Sequence, residues 1–430
     1  MLDPLKIGVA GLGSVGAGVV KLLHGQSELL ERRCGRVLAV TAVSARDRQR
    51  NRGVDLFGIR WFVDPRELAA DDEVDVVVEL IGGSDGVALD VVESAIAANK
   101  SVVTANKAMM AIHGTRLARQ AEQAGVGLAY EAAVAGGIPI VKALREGLAG
   151  NRINRVYGIL NGTCNYILTA MEETGREFDE VLAEAQVLGY AEADPGFDVD
   201  GIDAAHKLAL LTSLAFGRPV EFDSVFIEGI RDIGTVDIEY ARELGFRIKL
   251  LAIARATESG VEQRVHPCLV SRDTLIAHVQ GVFNAVVAEG DFVGRTVYEG
   301  RGAGEKPTAS AVVADLIDLA RGGNLPAFGV PTASLEATPA VPMEDHVGAY
   351  YVRLMVVDKP GVMADVAAIL RDENVSLESV LQRGRDPGEV VPVILTTHVT
   401  VEAGMRKALR EIAGLELVVE PPLMIRMEQL

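Results

Sequence analysis

The chain has 430 residues, 49% of them hydrophobic, and a formal net charge of −18, which predicts a globular protein of two or three domains. The negative balance argues against a nucleic-acid or anionic-membrane partner, because both are bound by clustered Lys and Arg side chains. Three widely separated cysteines, the lack of a signal-peptide pattern and the lack of a long apolar run predict a cytoplasmic protein with free thiols.

A short apolar strand at residues 6–10 opens the chain, followed by a glycine turn and an apolar-periodic helix. This order is the context of the dinucleotide-binding fingerprint, in which glycines allow a tight turn and the helix N-terminus offers free N–H groups to a pyrophosphate. Residues 1–135 are therefore predicted to form a Rossmann-type dinucleotide-binding domain. The candidate cofactor residues of the turn are Gly11, Leu12, Gly13, Ser14, Val15 and Gly16.

The second strand ends where an NAD-selective site usually carries an acidic residue. Here the strand runs into Ser44, Arg46 and Arg48, which could receive a 2'-phosphate, so NADP(H) is favoured over NAD(H). Asp47 keeps NAD(H) open, and solvated arginines are the alternative.

Two further strands end at residues suited to a ligand edge. One runs into Gly82 and Gly83, and the next ends at Thr104, shortly before Lys107. Because parallel sheets bind ligands at the carboxyl ends of their strands, we expect these four residues beside the cofactor. An ordinary surface lysine is the alternative for Lys107.

The middle of the chain breaks the alternation of strands and helices. Strand-like runs at residues 151–160, 247–254, 264–269 and 281–288 predict a separate sheet with helices on one side. Residues 136–322 are therefore expected to form an α+β catalytic and dimerisation domain, with residues 300–322 packing back on the cofactor domain. A glycine loop at Gly302 and Gly304 precedes a helix at residues 309–319 and could approach the cofactor.

The segment 189–207 concentrates carboxylates ahead of one lysine, Lys207. Asp203 lies four residues before Lys207, so a helix places both on one face. An acidic surface loop with one ordinary ion pair is the alternative. The other acidic residues of the segment are Glu192, Asp194, Asp198 and Asp200.

Proline-rich residues 323–346 have linker composition. Residues 347–430 then follow a strand-helix-strand-strand-helix-strand order, with strands expected at 350–357, 375–381, 390–401 and 415–419 and helices at 362–370 and 405–412. A compact terminal βαββαβ module of this kind suggests regulation or assembly.

Together these motifs resemble the homoserine dehydrogenase family over nearly the whole chain, and the tail resembles an ACT domain. No segment before Met1 accommodates a fused aspartate kinase, so the monofunctional form is expected. The motifs that carry the resemblance are the fingerprint, Thr104–Lys107, Glu131–Pro139, Leu160–Tyr166, Gly189–Glu192 with Asp194-Pro195, Asp203–Lys207, and Gly302–Gly304 with Pro307–Ala309.

The resemblance implies reversible hydride transfer between a nicotinamide cofactor and the C4 carbonyl of aspartate 4-semialdehyde, giving L-homoserine for threonine, methionine and isoleucine synthesis. It implies that Lys207 donates the proton, that Lys107 polarises or protonates the same oxygen, and that Asp203 orients Lys207. An ammonium group suits this task because hydride delivery creates an alkoxide.

Further roles are implied by the same resemblance. Glu192 and Asp198 would hold the substrate ammonium, and the turn at Asn161, Gly162 and Thr163 would supply further contacts, although helix capping also explains these polar groups. A structural monovalent cation, Na⁺ or K⁺, would bind Glu131 and the carbonyls of Val134, Gly136 and Ile138.

Two alternatives remain open at this point: another amino-acid-linked dehydrogenase on the same two domains, and a non-catalytic sensor of dinucleotide and amino acid. The ACT-like tail predicts feedback by an amino acid such as threonine, or else a purely dimer-forming role. A homodimer or homotetramer is expected.

Overall fold

A computed structural model describes residues 2–383 and 388–430. Its first domain is a six-stranded parallel sheet in the order β3-β2-β1-β4-β5-β6, which confirms the expected Rossmann-type arrangement. The central strands β1 and β4 are buried on both faces, as the middle of a parallel sheet between two helix layers requires. Its elements are β1 (Leu5–Ala10), α1 (Ser14–Gly25), α2 (Ser27–Cys34), β2 (Leu38–Ser44), β3 (Arg60–Phe62), α3 (Pro65–Ala70), β4 (Val76–Glu79), α4 (Val87–Ala97), β5 (Ser101–Thr104), α5 (Lys107–Ala124) and β6 (Leu128–Ala129).

The second domain is an antiparallel sheet with helices against one face. α10 packs its buried apolar residues, such as Leu208 and Leu211, into the same core as the strand residues Val156 and Leu250. This packing holds the acidic segment and Lys207 between the sheet and the first domain. Its elements are α6 (Ile140–Lys142), β7 (Ile153–Ile159), α7 (Gly162–Thr174), α8 (Phe178–Val187), α9 (Gly196–Val199), α10 (Ile202–Phe216), β8 (Phe226–Ile227), α11 (Thr235–Glu243), β9 (Phe246–Thr257), β10 (Gly260–Ser271), β11 (Phe283–Gly290), β12 (Gly294–Arg301) and α12 (Glu305–Ala320).

The last of these helices, α12, lies against α1 of the first domain. Val312 and Leu316 share a core with Val19 and Val20, and Glu305 pairs with Lys21 at 2.8 Å. The chain therefore crosses back to the cofactor domain after completing the second sheet.

The C-terminal domain extends the second sheet. β17 pairs in parallel with β10 and antiparallel with β13, giving an eleven-stranded sheet in which nine strands follow the order β12-β11-β7-β9-β10-β17-β13-β15-β14. The sequence pattern indicated a separate sheet and did not indicate this junction. The elements are β13 (Val347–Val357), α13 (Val362–Asp372), β14 (Leu377–Gln382), β15 (Val390–Thr397), β16 (Thr400–Val401), α14 (Glu402–Ile412) and β17 (Leu423–Glu428).

The prediction of a final strand at residues 415–419 is wrong. There only Val418 forms an isolated bridge, to Val356, and the last strand is β17. Residues 415–419 and 423–428 are both apolar runs containing Leu with Val or Met. Residues 423–428 form the strand because they pair with the open edge of β10, which is a tertiary contact. The single run expected at 390–401 is also divided, since it ends at Thr397 and resumes at Thr400.

The segment 323–346 follows the surface of the preceding domains in short turns. Thr332 donates its backbone N–H and its hydroxyl to the carboxylate of Glu122, and the backbone of Val261 pairs with that of Pro339. Within residues 2–383 and 388–430, none of the helices combines the length and apolar character needed to cross a membrane.

Candidate active site

An ionic cluster joins the first two domains at the cleft between them. Asp203, in the first turn of α10, accepts from Lys207 one turn later at 2.7 Å through Oδ2. Its other oxygen lies 2.8 Å from Nζ of Lys107, the first residue of α5. The structure thus brings together the two candidate lysines, one from each domain, on one carboxylate.

Burial and mutual charge set the protonation of this cluster. Burial acts to raise the pKa of Asp203, but Lys207 and Lys107 outweigh it, so that its pKa lies well below the usual range. Burial lowers the pKa of Lys207. For Lys107 burial also acts to lower the pKa, but Asp203 more than compensates and raises it. The cluster therefore holds an ionised carboxylate and two lysines of different acidity.

Asn161 organises the acidic side of the cleft. Its Nδ2 donates to Asp198 at 2.8 Å and to Asp203 at 2.9 Å, while its Oδ1 accepts from the backbone N–H of Cys164 and caps α7. Both N–H groups of the amide are thus committed to carboxylates. Asn161 fixes the two aspartates relative to each other.

The three other residues predicted to bind substrate, Gly162, Thr163 and Glu192, have contacts that differ from those of Asn161. Thr163 donates its hydroxyl to the carbonyl of Tyr190 at 2.7 Å, so its side chain stabilises the loop. A Cβ on Gly162 would lie 2.8 Å from the carbonyl of Val282, so this position has no room for a side chain. Glu192 is exposed on the loop before α9 and raises the pKa of Lys107 through its charge.

Two aromatic residues at this site were not predicted. Lys107 Nζ lies 5.5 Å from the ring centroid of Phe197, and Phe197 in turn lies against His206. Burial lowers the pKa of His206, so the ring is neutral at pH 7. The half-exposed Phe197 ring lies between Lys107 and the His206 imidazole at the mouth of the cleft. Their positions depend on the folding of α9 against α10, which has no simple signal in the sequence.

The glycine turn has the geometry that a pyrophosphate needs. Gly11 has φ +103, and a Cβ there would lie 2.5 Å from the carbonyl of Leu80, while a Cβ on Gly16 would lie 2.0 Å from the carbonyl of Gly11. At Gly13 a Cβ would meet no protein atom within 4 Å. Gly11 and Gly16 close the turn, and Gly13 leaves open space above the N-terminus of α1.

A groove of about 730 Å³ continues from this turn past the end of β2. Ser44 is buried at the strand end, and Arg46 and Arg50 line the groove with exposed side chains. Arg52, which the sequence analysis did not single out, donates to the carbonyl of Leu12 at 2.9 Å and so attaches this basic segment to the glycine turn. The residues fit a phosphorylated adenosine.

Glu79, another residue not predicted, is the last residue of β4 and holds the turn after that strand together. Its carboxylate accepts from the backbone N–H groups of Ile81 and Gly82 and from the hydroxyl of Thr104. Thr104 thus contributes to the cofactor edge by fixing this turn, in which Gly82 and Gly83 both have φ +87. A glutamate at the end of an otherwise apolar strand was the available signal.

The second glycine loop lies between α1 and the turn that follows Glu131. Gly304 has φ +116 and precedes α12, and a Cβ on Gly302 would overlap the Asn284 side chain at 2.1 Å. A Cβ on Gly136 would lie 2.3 Å from the carbonyl of Gly302. The loop and the candidate cation turn are therefore in direct contact.

At the candidate cation site, the Glu131 carboxylate accepts from the backbone N–H groups of Val141 and Lys142 at 2.9 and 2.8 Å. Burial and the nearby Asp315 raise the pKa of Glu131 to about 7. Each carboxylate oxygen retains a lone pair, so the group fits a weakly bound cation together with carbonyls of the 134–138 turn.

The fold and the site define a nicotinamide-dinucleotide-dependent oxidoreductase with a C-terminal regulatory domain. Family models match residues 11–131 (homoserine dehydrogenase, NAD binding domain), 139–317 (homoserine dehydrogenase) and 350–416 (ACT domain). The chain belongs to the homoserine dehydrogenase family.

Relatives and solved structures agree with this assignment. The homoserine dehydrogenase of Pseudomonas aeruginosa is 48% identical over 436 residues, covering all of both chains. A crystal structure of a homoserine dehydrogenase from Thiobacillus denitrificans superposes with a TM-score of 0.93 at 46% identity, over 99% of this chain and 98% of that one. A hyperthermophilic archaeal homoserine dehydrogenase in complex with NADPH superposes with a TM-score of 0.63 at 28% identity, over 73% of this chain and 97% of that one.

Proposed function

We propose that the protein catalyses the reversible NAD(P)H-dependent reduction of L-aspartate 4-semialdehyde to L-homoserine, a step of amino-acid biosynthesis. The observation that carries this proposal is the array of Lys107, Asp203 and Lys207 across the cleft, beside a groove that fits a dinucleotide. A sensor would leave this array without a function. The bound nicotinamide supplies or accepts the hydride.

Lys207 is the proton donor in reduction. Two of its three N–H groups donate to Asp203 and to the carbonyl of Leu160, both at 2.7 Å, which aims the third at the cleft. Its lowered pKa makes it the better acid of the two lysines. Lys107, whose pKa is raised, stays charged and stabilises the oxygen that gains negative charge.

Two carboxylates hold the ammonium group of the substrate. Asp198 is fixed by Asn161, and Glu192 lies on the exposed rim of the same loop. Because both N–H groups of the Asn161 amide are committed, Asn161 is a positioning residue here, and the turn after it contacts substrate through its backbone.

NADP(H) is the preferred cofactor, and a monovalent cation supports the site. Arg46 lines the groove at the position suited to a 2'-phosphate, and the archaeal relative was solved with NADPH. Na⁺ or K⁺ binds at Glu131 in a structural role. Burial raises the pKa of the Glu131 carboxyl, and the positive charge of the ion favours its ionised form.

The C-terminal domain binds an amino-acid effector, with threonine as the proposed inhibitor.

The chain forms a homodimer or homotetramer. β12 and β14 are edge strands of the large sheet, and the exposed Phe292 and Val297 lie beside or on β12. Three buried free cysteines suit the reducing cytoplasm as its location.

The roles are tested by measuring initial rates with homoserine and NADP⁺ from the absorbance of the reduced nicotinamide. We expect Lys207→Ala to lower kcat by roughly two to four powers of ten while NADPH still binds. Lys407→Ala, an exposed lysine on α14, is the matched control and should leave kcat unchanged. Near-normal turnover by Lys207→Ala would refute its assignment as proton donor, and turnover by neither variant nor wild type would refute the function.

A further inference from the structure

Glu79 lies behind the turn that joins the dinucleotide groove to the active-site cleft. It is the last residue of β4, and its exposed fraction is 0%. Its Oε1 accepts from the backbone N–H groups of Ile81 and Gly82 at 2.7 and 3.1 Å, and Ile81 lines the groove. A buried carboxylate therefore lies directly behind a residue of the groove wall.

The other oxygen of Glu79 connects this turn to Lys107. Oε2 accepts from the hydroxyl of Thr104 at 2.6 Å, and Thr104 Oγ1 accepts in turn from the backbone N–H of Asn106. Asn106 caps α5, of which Lys107 is the first residue, and it donates its amide to the carbonyl of Gly83 at 2.7 Å. Glu79 thus lies between the groove and the lysine that reaches the cleft.

The order of the strands indicates which half of a dinucleotide lies at the end of β4. The glycine turn follows β1, and the groove continues from it past the end of β2. β4 and β5 lie on the other side of β1. A dinucleotide with its adenosine at β2 and its pyrophosphate at the glycine turn therefore has its nicotinamide half at the ends of β4 and β5.

The charges of the cleft disfavour an oxidised nicotinamide at this position. Lys107 and Lys207 share one carboxylate, that of Asp203, so the cluster is net positive when both ammonium groups are charged. Two other carboxylates of the cleft, Asp198 and Glu192, are those proposed to hold the substrate ammonium. Because the nicotinamide ring is cationic when oxidised and uncharged when reduced, a further buried negative charge stabilises the oxidised form selectively.

We infer that Glu79 is a specificity-determining residue, whose buried carboxylate shifts the preference of the site towards the oxidised nicotinamide dinucleotide and away from the reduced one. This inference rests on the proposed function only in that a dinucleotide binds at the glycine turn. Both carboxylate oxygens accept hydrogen bonds from described donors, which stabilises the ionised form. Burial raises the pKa of Glu79, and these hydrogen bonds oppose that effect.

The dissociation constants of NADP⁺ and NADPH, measured with the full-length protein by isothermal titration calorimetry without substrate, test this inference. Glu79→Gln keeps the size of the side chain and an acceptor for Ile81 and Gly82, and it removes the charge. We expect the ratio of the NADP⁺ constant to the NADPH constant to rise about tenfold, the effect of unit charges roughly 10 Å apart at an effective dielectric constant of about 20.

Asp85→Asn is the matched control, because it removes a carboxylate from the segment that follows the same turn. The Asp85 side chain is 68% exposed and pairs with His113, so solvent screens its charge. The ratio of the two dissociation constants in this variant should stay within about twofold of the wild-type ratio.

The ratio separates an electrostatic role of Glu79 from a purely structural one. If Glu79 only holds the turn, Glu79→Gln weakens both dinucleotides by the same factor, and an unchanged ratio overturns the inference. Glu79→Asp keeps the charge and is the second test should Glu79→Gln not fold. Its ratio should match the wild type even where both affinities fall, and a raised ratio would contradict the inference.

The binding measurement is also independent of the proposed reaction. A protein that reduces aspartate semialdehyde, but whose Glu79→Gln variant keeps the wild-type ratio, refutes the role of Glu79 alone. A protein that binds both dinucleotides with the expected change of ratio, but does not turn over homoserine, refutes the proposed reaction and leaves the role of Glu79 intact.

Discussion

Replacing Asp203 by Asn tests whether the carboxylate controls the acidity of Lys207. The side chain is only 4% exposed and neutralises two ammonium groups, at 2.7 and 2.8 Å. The amide keeps the size of the side chain and removes the charge. Lys207 and Lys107 would then face each other with the carboxylate between them gone.

The size of the effect follows from the distances. Two unit charges 2.7 Å apart interact by about 6 kcal/mol at an effective dielectric constant of about 20. The carboxylate charge is spread over two oxygens, and only Oδ2 lies at 2.7 Å from Lys207, so we take roughly half of this energy, about 3 kcal/mol, as the minimum loss at Lys207. This corresponds to roughly a hundredfold smaller protonated fraction of Lys207 wherever the pH exceeds its pKa.

The assay is the pH dependence of kcat for reduction of aspartate semialdehyde, which needs protonated Lys207. In the variant, kcat should fall as pH rises through a lower range than in the wild type, because the ammonium form is lost earlier. Asp200→Asn is the matched control, since Asp200 lies on the same loop and pairs with Arg231 at the surface. An Asp203→Asn profile that coincides with the wild type, with only KM altered, would show that Asp203 does not act through Lys207.

Three further predictions concern the cofactor, the cation and the effector. Arg46→Ser should raise KM for NADP(H) about tenfold, the loss of one charge-assisted contact, and leave KM for NAD(H) unchanged; Arg48→Ser, which lies over Trp61 outside the groove, is its control. Glu131 has a pKa of about 7 in the folded protein against 4.5 normally, so between these pH values the folded state binds more protons than the unfolded state, and the free energy of unfolding should fall by about 3 kcal/mol as pH rises across them. In urea unfolding, Glu131→Gln should lose this pH dependence of stability. Above pH 7, KCl should stabilise the wild type more than choline chloride does. Millimolar L-threonine should lower the initial rate of the intact chain, and an unchanged rate would exclude it as the inhibitor.

Local sequence signals were sufficient to place Asp203 beside Lys207 and to locate the glycine turn, while the proposed roles of the lysines came from the family resemblance. The spacing of Asp203 and Lys207 placed both on one helix face, and the structure shows them paired at 2.7 Å. The glycine turn between a strand and a helix predicted the dinucleotide-binding domain, which the family match confirms. Both signals are short-range, because each depends on residues within one or two helical turns.

Residues whose position depends on distant contacts had no comparable signal. Glu79 supports the cofactor edge by bonding to Thr104, on a neighbouring strand, 25 residues away. Arg52 reaches the glycine turn across 40 residues. The final strand was misplaced for the same reason, since only the folded edge of β10 distinguishes β17 from the apolar run before it. Long-range pairing decides such positions, and spacing along one sequence does not encode it.

The shared sheet changes how regulation of this enzyme has to be studied. Removing residues 347–430 would delete β17, leave the edge of β10 without its partner and leave Arg264 without Glu428 inside the catalytic domain. A change in rate after such a truncation would therefore mix lost regulation with a damaged catalytic core. The same continuity offers a physical route for an effector, because β13 is hydrogen-bonded to β17 and β17 to β10, so a movement of β13 together with β17 acts directly on β10. Point substitutions that leave the sheet intact are thus the appropriate means of separating effector binding from catalysis.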